Sequence, residues 1–191
     1  MAELVLASGS PRRRDLLEQV GFSFVVRSTN IDESFVTADD PKALVESLAQ
    51  RKGQAISLKE KQVVLSADTV VCYEGNVLTK PDNDDQALQM LNMLNGKEHQ
   101  VYTGVMIRSL SEEVIFSTVT NVEFWNVPEQ VLLQYMNTGE PFDKAGGYGI
   151  QSVGAFLVKQ IRGDYFNVVG LPISRVVQEL IRFHIYPSFF K

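Results

Sequence analysis

The sequence predicts an α/β protein whose long mixed sheet is divided between two lobes, and three observations predict it. Short apolar runs rich in β-branched residues alternate with segments whose apolar residues recur at helical spacing. The second half carries more strand pattern than the first. A helical pattern then returns at the C-terminal end, as expected of strands with interspersed helices rather than of an all-β chain.

Leu4-Val5-Leu6-Ala7 is a buried-strand run, and Ser8-Gly9-Ser10 is the turn leaving it. Ser10 suits a helix N-cap and Pro11 the first helical position, where no backbone N–H is needed. Leu16, Leu17 and Val20 supply an apolar face, and Gly21 ends the helix. Residues 22–26 form a second strand, followed by a polar stretch over 28–34. Asp40-Pro41 opens a helix with Leu44, Val45, Leu48 and Ala49 on one face and Lys52 in its last turns. Residues 62–73 form a long strand that turns at Glu74-Gly75-Asn76 into a short partner, Val77-Leu78. The acidic run 82–85 starts a helix carrying Ala87, Leu88, Leu91 and Leu94, which stops at Asn95-Gly96.

Residues 101–108 and 114–124 read as a hairpin, with Thr118, Thr120, Val122 and Phe124 on one side of the pleat. Residues 128–136 are helical, and 140–154 form a Gly-rich irregular stretch. Residues 155–161 and 165–169 are expected to pair across Arg162-Gly163-Asp164. Pro172 opens a last helix carrying Val176, Val177, Leu180 and Ile181. No internal repeat, low-complexity tract or linker interrupts residues 1–191, so a single domain is expected; the pattern does not place the lobe boundary.

Bulk properties narrow the function. Of 191 residues, 45% are hydrophobic and 21% charged, the proportions of an ordinary globular domain. A net charge of −5 and a pI near 5.1 argue against a dedicated nucleic-acid or anionic-membrane binder. Cys72 is the only cysteine, which excludes an intrachain disulfide and argues against a cysteine-based metal site. With no signal-peptide pattern and no bilayer-spanning apolar run, a cytoplasmic location is expected.

Against that acidic background, Arg12-Arg13-Arg14 stands where a helix begins. A helix N-terminus is partially positive and disfavours each arginine by roughly 0.3–1 kcal/mol, unless an anion binds there. Free N–H groups and guanidinium forks both hold phosphate oxygens, so a strand, a Gly/Ser turn and an arginine-rich helix start together indicate a phosphate site.

Asp68 interrupts the apolar run 63–71 with a carboxylate that needs a partner or a task. Lys80 follows the next short strand, and Pro81 holds it in an extended conformation. Glu33 is a second acid, in a polar loop after a strand, and Lys52 is a further cation. Two carboxylates and several cations suit a metal-bound polyphosphate: acids for a divalent cation, cations for phosphates. The run Phe142 to Gln151 carries Gly146, Gly147 and Gly149, which permit close backbone approach to a ligand or simply a tight loop. His99 and His184 lack metal-ligand spacing and are expected to be surface or satisfied polar groups. Trp125 with Phe124 is expected to pack rather than to stack a base, and Asp82, Asp84 and Asp85 to favour a helix start.

Five motifs in order give the chain a specific resemblance to the Maf-like nucleoside triphosphate pyrophosphatases, dTTP/UTP subgroup. They are Leu6-Ala7-Ser8-Gly9-Ser10-Pro11-Arg12-Arg13, Ala67-Asp68-Thr69, Lys80-Pro81, Asp143-Lys144-Ala145-Gly146 with Tyr148-Gly149-Ile150-Gln151, and Gly170-Leu171-Pro172. The resemblance runs essentially from end to end. It implies an elongated α/β fold with a central cleft, related to the inosine triphosphate pyrophosphatases. It also implies hydrolysis of dTTP and UTP to the monophosphate and pyrophosphate, with Mg²⁺ or Mn²⁺, as nucleotide house-cleaning that extends to modified pyrimidines. Asp68 falls on the family's proton acceptor, and the mechanism expected has Asp68 and Glu33 hold the metal. Ser8, Arg12, Arg13, Lys52 and Lys80 would bind phosphate, while Arg12, Thr69 and Gln151 match the residue types associated with dTTP/UTP choice. Gly147 departs from the alanine expected there. The partner implied is a nucleoside triphosphate, with neither nucleic acid nor membrane; monomer and homodimer stay open. Two alternatives remain at this point: an ITP-type purine triphosphate pyrophosphatase, and a non-catalytic nucleotide-binding regulator of cell division.

Overall fold

The computed structural model of the chain describes residues 2–28 and 40–190, and Glu33 lies outside the described residues. Among these residues the strands are β1 (Glu3–Leu6), β2 (Phe24–Val26), β3 (Gln62–Tyr73), β4 (Asn76–Leu78), β5 (Glu98–Arg108), β6 (Glu113–Phe124) and β7 (Val158–Arg162). They form a seven-stranded mixed sheet in the order β2-β1-β3-β5-β6-β7, with β4 paired to β3. β1 is parallel to β2 and β3, whereas β3 with β4 and β6 with β7 are antiparallel. The helices are α1 (Pro11–Gln19), α2 (Pro41–Gln54), α3 (Asp84–Leu94), α4 (Glu129–Met136), α5 (Tyr165–Val169) and α6 (Ile173–Arg182). None of the described helices is long and apolar enough to cross a membrane. The chain divides into two compact units, one of Met1–Asp68, Thr103–Thr118 and Gly170–Lys191, the other of Thr69–Tyr102 and Val119–Val169.

In the first unit, β1 and β3 pair in register, Leu4 opposite Val63 and Leu6 opposite Leu65. Leu4 to Ala7 and Val63 to Leu65 are all buried, the continuous apolar run of parallel strands covered on both faces. One face holds Val5, Ala7 and Val64 against Ile56, just beyond α2. Asp40 caps α2 by accepting hydrogen bonds from the Lys42 and Ala43 N–H groups, and Pro41 follows it. α2 sits close on β5: a Cβ on Gly104 would lie 2.2 Å from the Val45 carbonyl oxygen. The Ser66 hydroxyl donates to the Ala49 carbonyl at 2.6 Å, which ties α2 to β3 as well. Ser10 occupies the N-cap position of α1 but makes no side-chain cap bond. Ser8 Oγ instead accepts from the Ser10 N–H at 3.2 Å, which tightens the turn ahead of the helix.

The second unit packs α3 and α4 over a core of Leu91, Leu94, Val122, Phe124, Leu132 and Leu157. Here the structure corrects one expected strand. Residues 165–169 do not pair with 155–161; they form the short helix α5, while β7 pairs with β6, Val122 opposite Ile161. Polar contacts decide it. Asp164 Oδ1 accepts from the Phe166 N–H at 2.8 Å, turning the chain, and the buried Asn167 amide donates to Val101 O and Thr120 Oγ1, both at 3.0 Å. A five-residue apolar run satisfies either period, and the side-chain bonds choose between them. Residues 153–157 are 3₁₀ rather than strand.

His99, expected at the surface or as a satisfied polar group, is buried and satisfied at one ring nitrogen only. It is 1% exposed, with Nε2 2.8 Å from the Tyr148 hydroxyl, its ring edge-on to Phe124 and Tyr148, and Nδ1 without a hydrogen-bond partner. Phe124 packs as expected, but Trp125 is half-exposed beneath the Lys159 ammonium, 5.3 Å from the ring centre.

Burial lowers the His99 pKa to about 3 from an ordinary 6.5. Between those values the unfolded chain binds a proton that the folded one does not, so stability falls as pH drops below 6.5. His99 alone should remove about 2 kcal/mol between pH 7 and pH 5. Urea midpoints at the two pH values check this, and His99→Gln, which cannot titrate, should flatten the difference by a comparable amount.

Candidate functional site

The first unit holds five of the candidate residues: Ser8, Arg12 and Arg13 just beyond β1, Lys52 on α2, and Asp68 within β3. Ser8 and Arg13 flank the turn between β1 and α1, and Asp68 lies three residues beyond Leu65, the partner of Leu6. The parallel pairing of β1 with β3 stops at Leu6 and Leu65, so Asp68 lies beyond the paired stretch while still inside β3. The first turn of α1 contains no acid, and of its three arginines only Arg13 is buried. Its Nε donates to the Gly170 carbonyl at 2.8 Å and its Nη1 to Ser8 Oγ at 3.2 Å. These bonds fix the plane of the guanidinium at the helix start. Arg12 is half-buried and Arg14 exposed.

Alternation along β3 puts Val64, Ser66 and Asp68 on the face toward α2. Helical spacing puts Ala49 and Lys52 on the same side of α2. Ser66 consequently meets Ala49, and one turn on Lys52 Nζ meets Asp68 Oδ1 at 2.5 Å. Both partners are largely buried, 16% and 10% exposed at the side chain, so the carboxylate inside the apolar strand is paired with a cation from the helix across it. Lys52 thus sits in the site rather than on the solvated surface.

The second unit holds Thr69, Lys80 and Gln151. Thr69 follows Asp68 in β3 and is half-buried; Lys80 and Gln151 are exposed. The Gly146 N–H donates to the Thr79 carbonyl at 3.0 Å, which joins the Gly-rich run to the turn bearing Lys80. Gly147 has φ +73°, a conformation in which the expected alanine would be strained. Tyr148 is buried against His99, with its hydroxyl raised well above the ordinary value by that burial.

Sequence patterning missed Tyr135 and Glu140. The Tyr135 hydroxyl donates to Glu140 Oε1 at 3.0 Å and accepts from the Gly149 N–H at 3.3 Å. Glu140 Oε2 and Oε1 accept from the Val153 and Gly154 N–H groups at 3.0 and 3.1 Å. Burial pushes the Glu140 carboxyl up. Hydrogen bonds from Ser152, Gly154 and Tyr135 and the Lys144 charge outweigh it and hold the carboxyl below its ordinary value. The only signal of this acid in the sequence is its place just ahead of the Gly-rich run.

Among the described residues no three His, Cys, Asp or Glu side chains cluster as a metal cage. The donor set, one carboxylate beside several cations, fits a hard divalent cation that arrives on a polyphosphate, since Mg²⁺ is commonly held by one or two carboxylates with waters and substrate phosphates.

Similarity to known proteins extends over almost the whole chain. A protein from Halalkalibacterium halodurans named dTTP/UTP pyrophosphatase is 46% identical over 181 residues, 94% of this chain and 95% of that protein. One of the same name from a Geobacillus strain is 47% identical over 183 residues, 95% and 98% of the two chains. The structure of a HAM1 protein from Coxiella burnetii superposes with a TM-score of 0.55 over 95% of this chain and all of that one; at 13% identity the likeness is one of fold. Residues 3–183 match the family described as Maf-like protein. Family match and relatives over almost the whole chain agree, and the chain belongs to the Maf-like protein family.

Proposed function

We propose that this chain is a nucleoside triphosphate pyrophosphatase that hydrolyses dTTP and UTP to the monophosphate and pyrophosphate, a cytoplasmic house-cleaning enzyme whose range includes modified pyrimidines. The observation that carries the reading is identity of 46–47%, over 94–95% of the chain, to proteins named for that activity. The Lys52–Asp68 pair and the fixed Arg13 support the chemistry.

In this reading Arg13 and Ser8 receive phosphate oxygens at the start of α1, where the helix end adds its own partial positive charge. Arg12 and Lys80 add charge, and Lys52 neutralises the triphosphate beside Asp68. Attack of water on the α-phosphorus breaks its bond to the bridging oxygen, and pyrophosphate leaves with the charge of that bond. Asp68 orients the water and accepts its proton. A divalent cation, held by Asp68 together with Glu33, would supply charge neutralisation and a more acidic water. The cationic side chains bind the departing charge more strongly as it develops, which lowers the barrier and not merely the substrate's energy.

Base choice is assigned to Arg12, Thr69 and Gln151. The Gln151 amide offers one donor and one acceptor, the complement of a carbonyl and N–H on a uracil or thymine edge. Cytosine presents a different pattern, and mismatched buried polar groups support large discrimination where a methyl group supports little. The expected result is comparable hydrolysis of UTP and dTTP, both far better than CTP, ATP or GTP. Pyrophosphate release from those five, ITP and 7-methyl-GTP, with and without Mg²⁺ or Mn²⁺, tests it. ITP or 7-methyl-GTP as best substrate overturns the pyrimidine assignment, and no release from any triphosphate favours a non-catalytic binder.

A further inference from the structure

We propose that Glu140 and Tyr135 are positioning residues for base selection, a polar clamp that holds the loop of residues 149–154 and with it Gln151. The inference rests on the assignment of Gln151 to the base. Gln151 is exposed and lies between two anchored backbone segments. On its N-terminal side the Gly149 N–H donates to the Tyr135 hydroxyl. On its C-terminal side the Val153 and Gly154 N–H groups donate to the two oxygens of Glu140. The anchors are themselves joined, Tyr135 donating to Glu140, and Lys144 Nζ donates to the Glu140 carbonyl at 3.0 Å.

The loop packs closely on these two side chains and on Lys144, whose Cε would lie 2.5 Å from a Cβ on Gly149. A Cβ on Gly149 would lie 2.9 Å from Glu140 Oε1, and one on Gly154 would lie 2.6 Å from the Tyr135 hydroxyl. Tyr135 is fixed in turn by α4, where it is 2% exposed and edge-on to Phe156. An exposed amide discriminates between bases only if its backbone does not move with the ligand. Otherwise the amide can turn to satisfy the wrong base edge. Carboxylate bonds to backbone N–H groups are strong and directional, and one carboxylate that accepts from both Val153 and Gly154 removes that freedom.

The test uses Tyr135→Phe, which keeps the ring and removes both hydroxyl bonds, and Glu140→Gln, which sets an amide NH₂ against one of the two loop N–H groups. Both should reduce kcat/KM for UTP about 10-fold more than that for CTP, chiefly through KM. Peptide-level hydrogen exchange without substrate should accelerate in 149–154 while α3 keeps its protection. Gln151→Ala serves as the reference for lost preference. If Gln151→Ala loses the UTP preference while both clamp variants keep it, the clamp is overturned and the pyrimidine assignment stands. If Gln151→Ala keeps the preference, assignment and clamp fall together. Equal losses on UTP and CTP, with exchange raised throughout the unit, would make the pair merely structural and overturn the proposal.

Discussion

Asp68→Asn is expected to lower kcat by at least about 10²-fold, the low end for a positioned acid–base group. The substitution keeps the shape of the side chain and removes the charge. In the proposed reaction that charge orients the water, accepts its proton and helps hold a cation, so one change disables three contributions. It also leaves the largely buried Lys52 ammonium without the carboxylate now 2.5 Å away. Breaking a buried pair by removing one partner costs about 3–5 kcal/mol in full burial, and partial exposure here should reduce that cost. Activity must therefore be referred to folded protein, with unfolding followed by circular dichroism. Lys52→Met breaks the same ion pair but keeps Asp68; because it also removes a cation assigned to phosphate, it should raise KM while retaining more kcat per folded molecule than Asp68→Asn. Near-normal kcat in folded Asp68→Asn would remove Asp68 from the chemistry and weaken the catalytic reading as a whole.

Arg13→Ala and Lys80→Ala should each reduce kcat/KM for UTP by about 10- to 200-fold, equivalent to the roughly 1.5–3 kcal/mol of a charge-assisted hydrogen bond. Their stabilities should differ. Arg13 is buried, and truncating it removes a donor from the Gly170 carbonyl and another from Ser8 Oγ, so this variant should also melt earlier. Lys80 is exposed, and its removal should shift stability by no more than about 0.5 kcal/mol. Lys80→Ala is consequently the cleaner measure of charge in the reaction. Arg13→Lys should rescue Arg13→Ala only in part, because an ammonium cannot hold two fixed acceptors in the plane of a fork. Normal turnover in both alanine variants would make these cations structural or surface charge.

Much of the fold was legible because its signals are local. The buried runs at 4–7 and 63–65, the Asp40-Pro41 cap and the Glu74-Gly75-Asn76 turn depend on neighbours in sequence, and each element appears where its pattern ends. Residues 165–169 were not legible. Their apolar pattern is compatible with a strand, and the Asn167 bonds to Val101 and Thr120 that go with a helical turn reach across 66 and 47 positions. The burial of His99 was not legible for the same reason, since nothing adjacent indicates that Phe124 and Tyr148 will enclose it.

Contiguous chain sufficed for the α/β class, the ordered motifs of the family and the candidate residue types for phosphate and base, because strand period, turn chemistry and motif spacing are local properties. Folding alone reveals that Lys52, sixteen residues before Asp68, is its ion-pair partner, and that Gly170, 157 residues after Arg13, orients its guanidinium. Tyr135 and Glu140 likewise acquired a task only when α4 and the start of the Gly-rich stretch folded around residues 149–154. One cause is common to all three. A buried charge or an unpaired N–H must find a partner, and packing rather than sequence distance decides which partner is within reach.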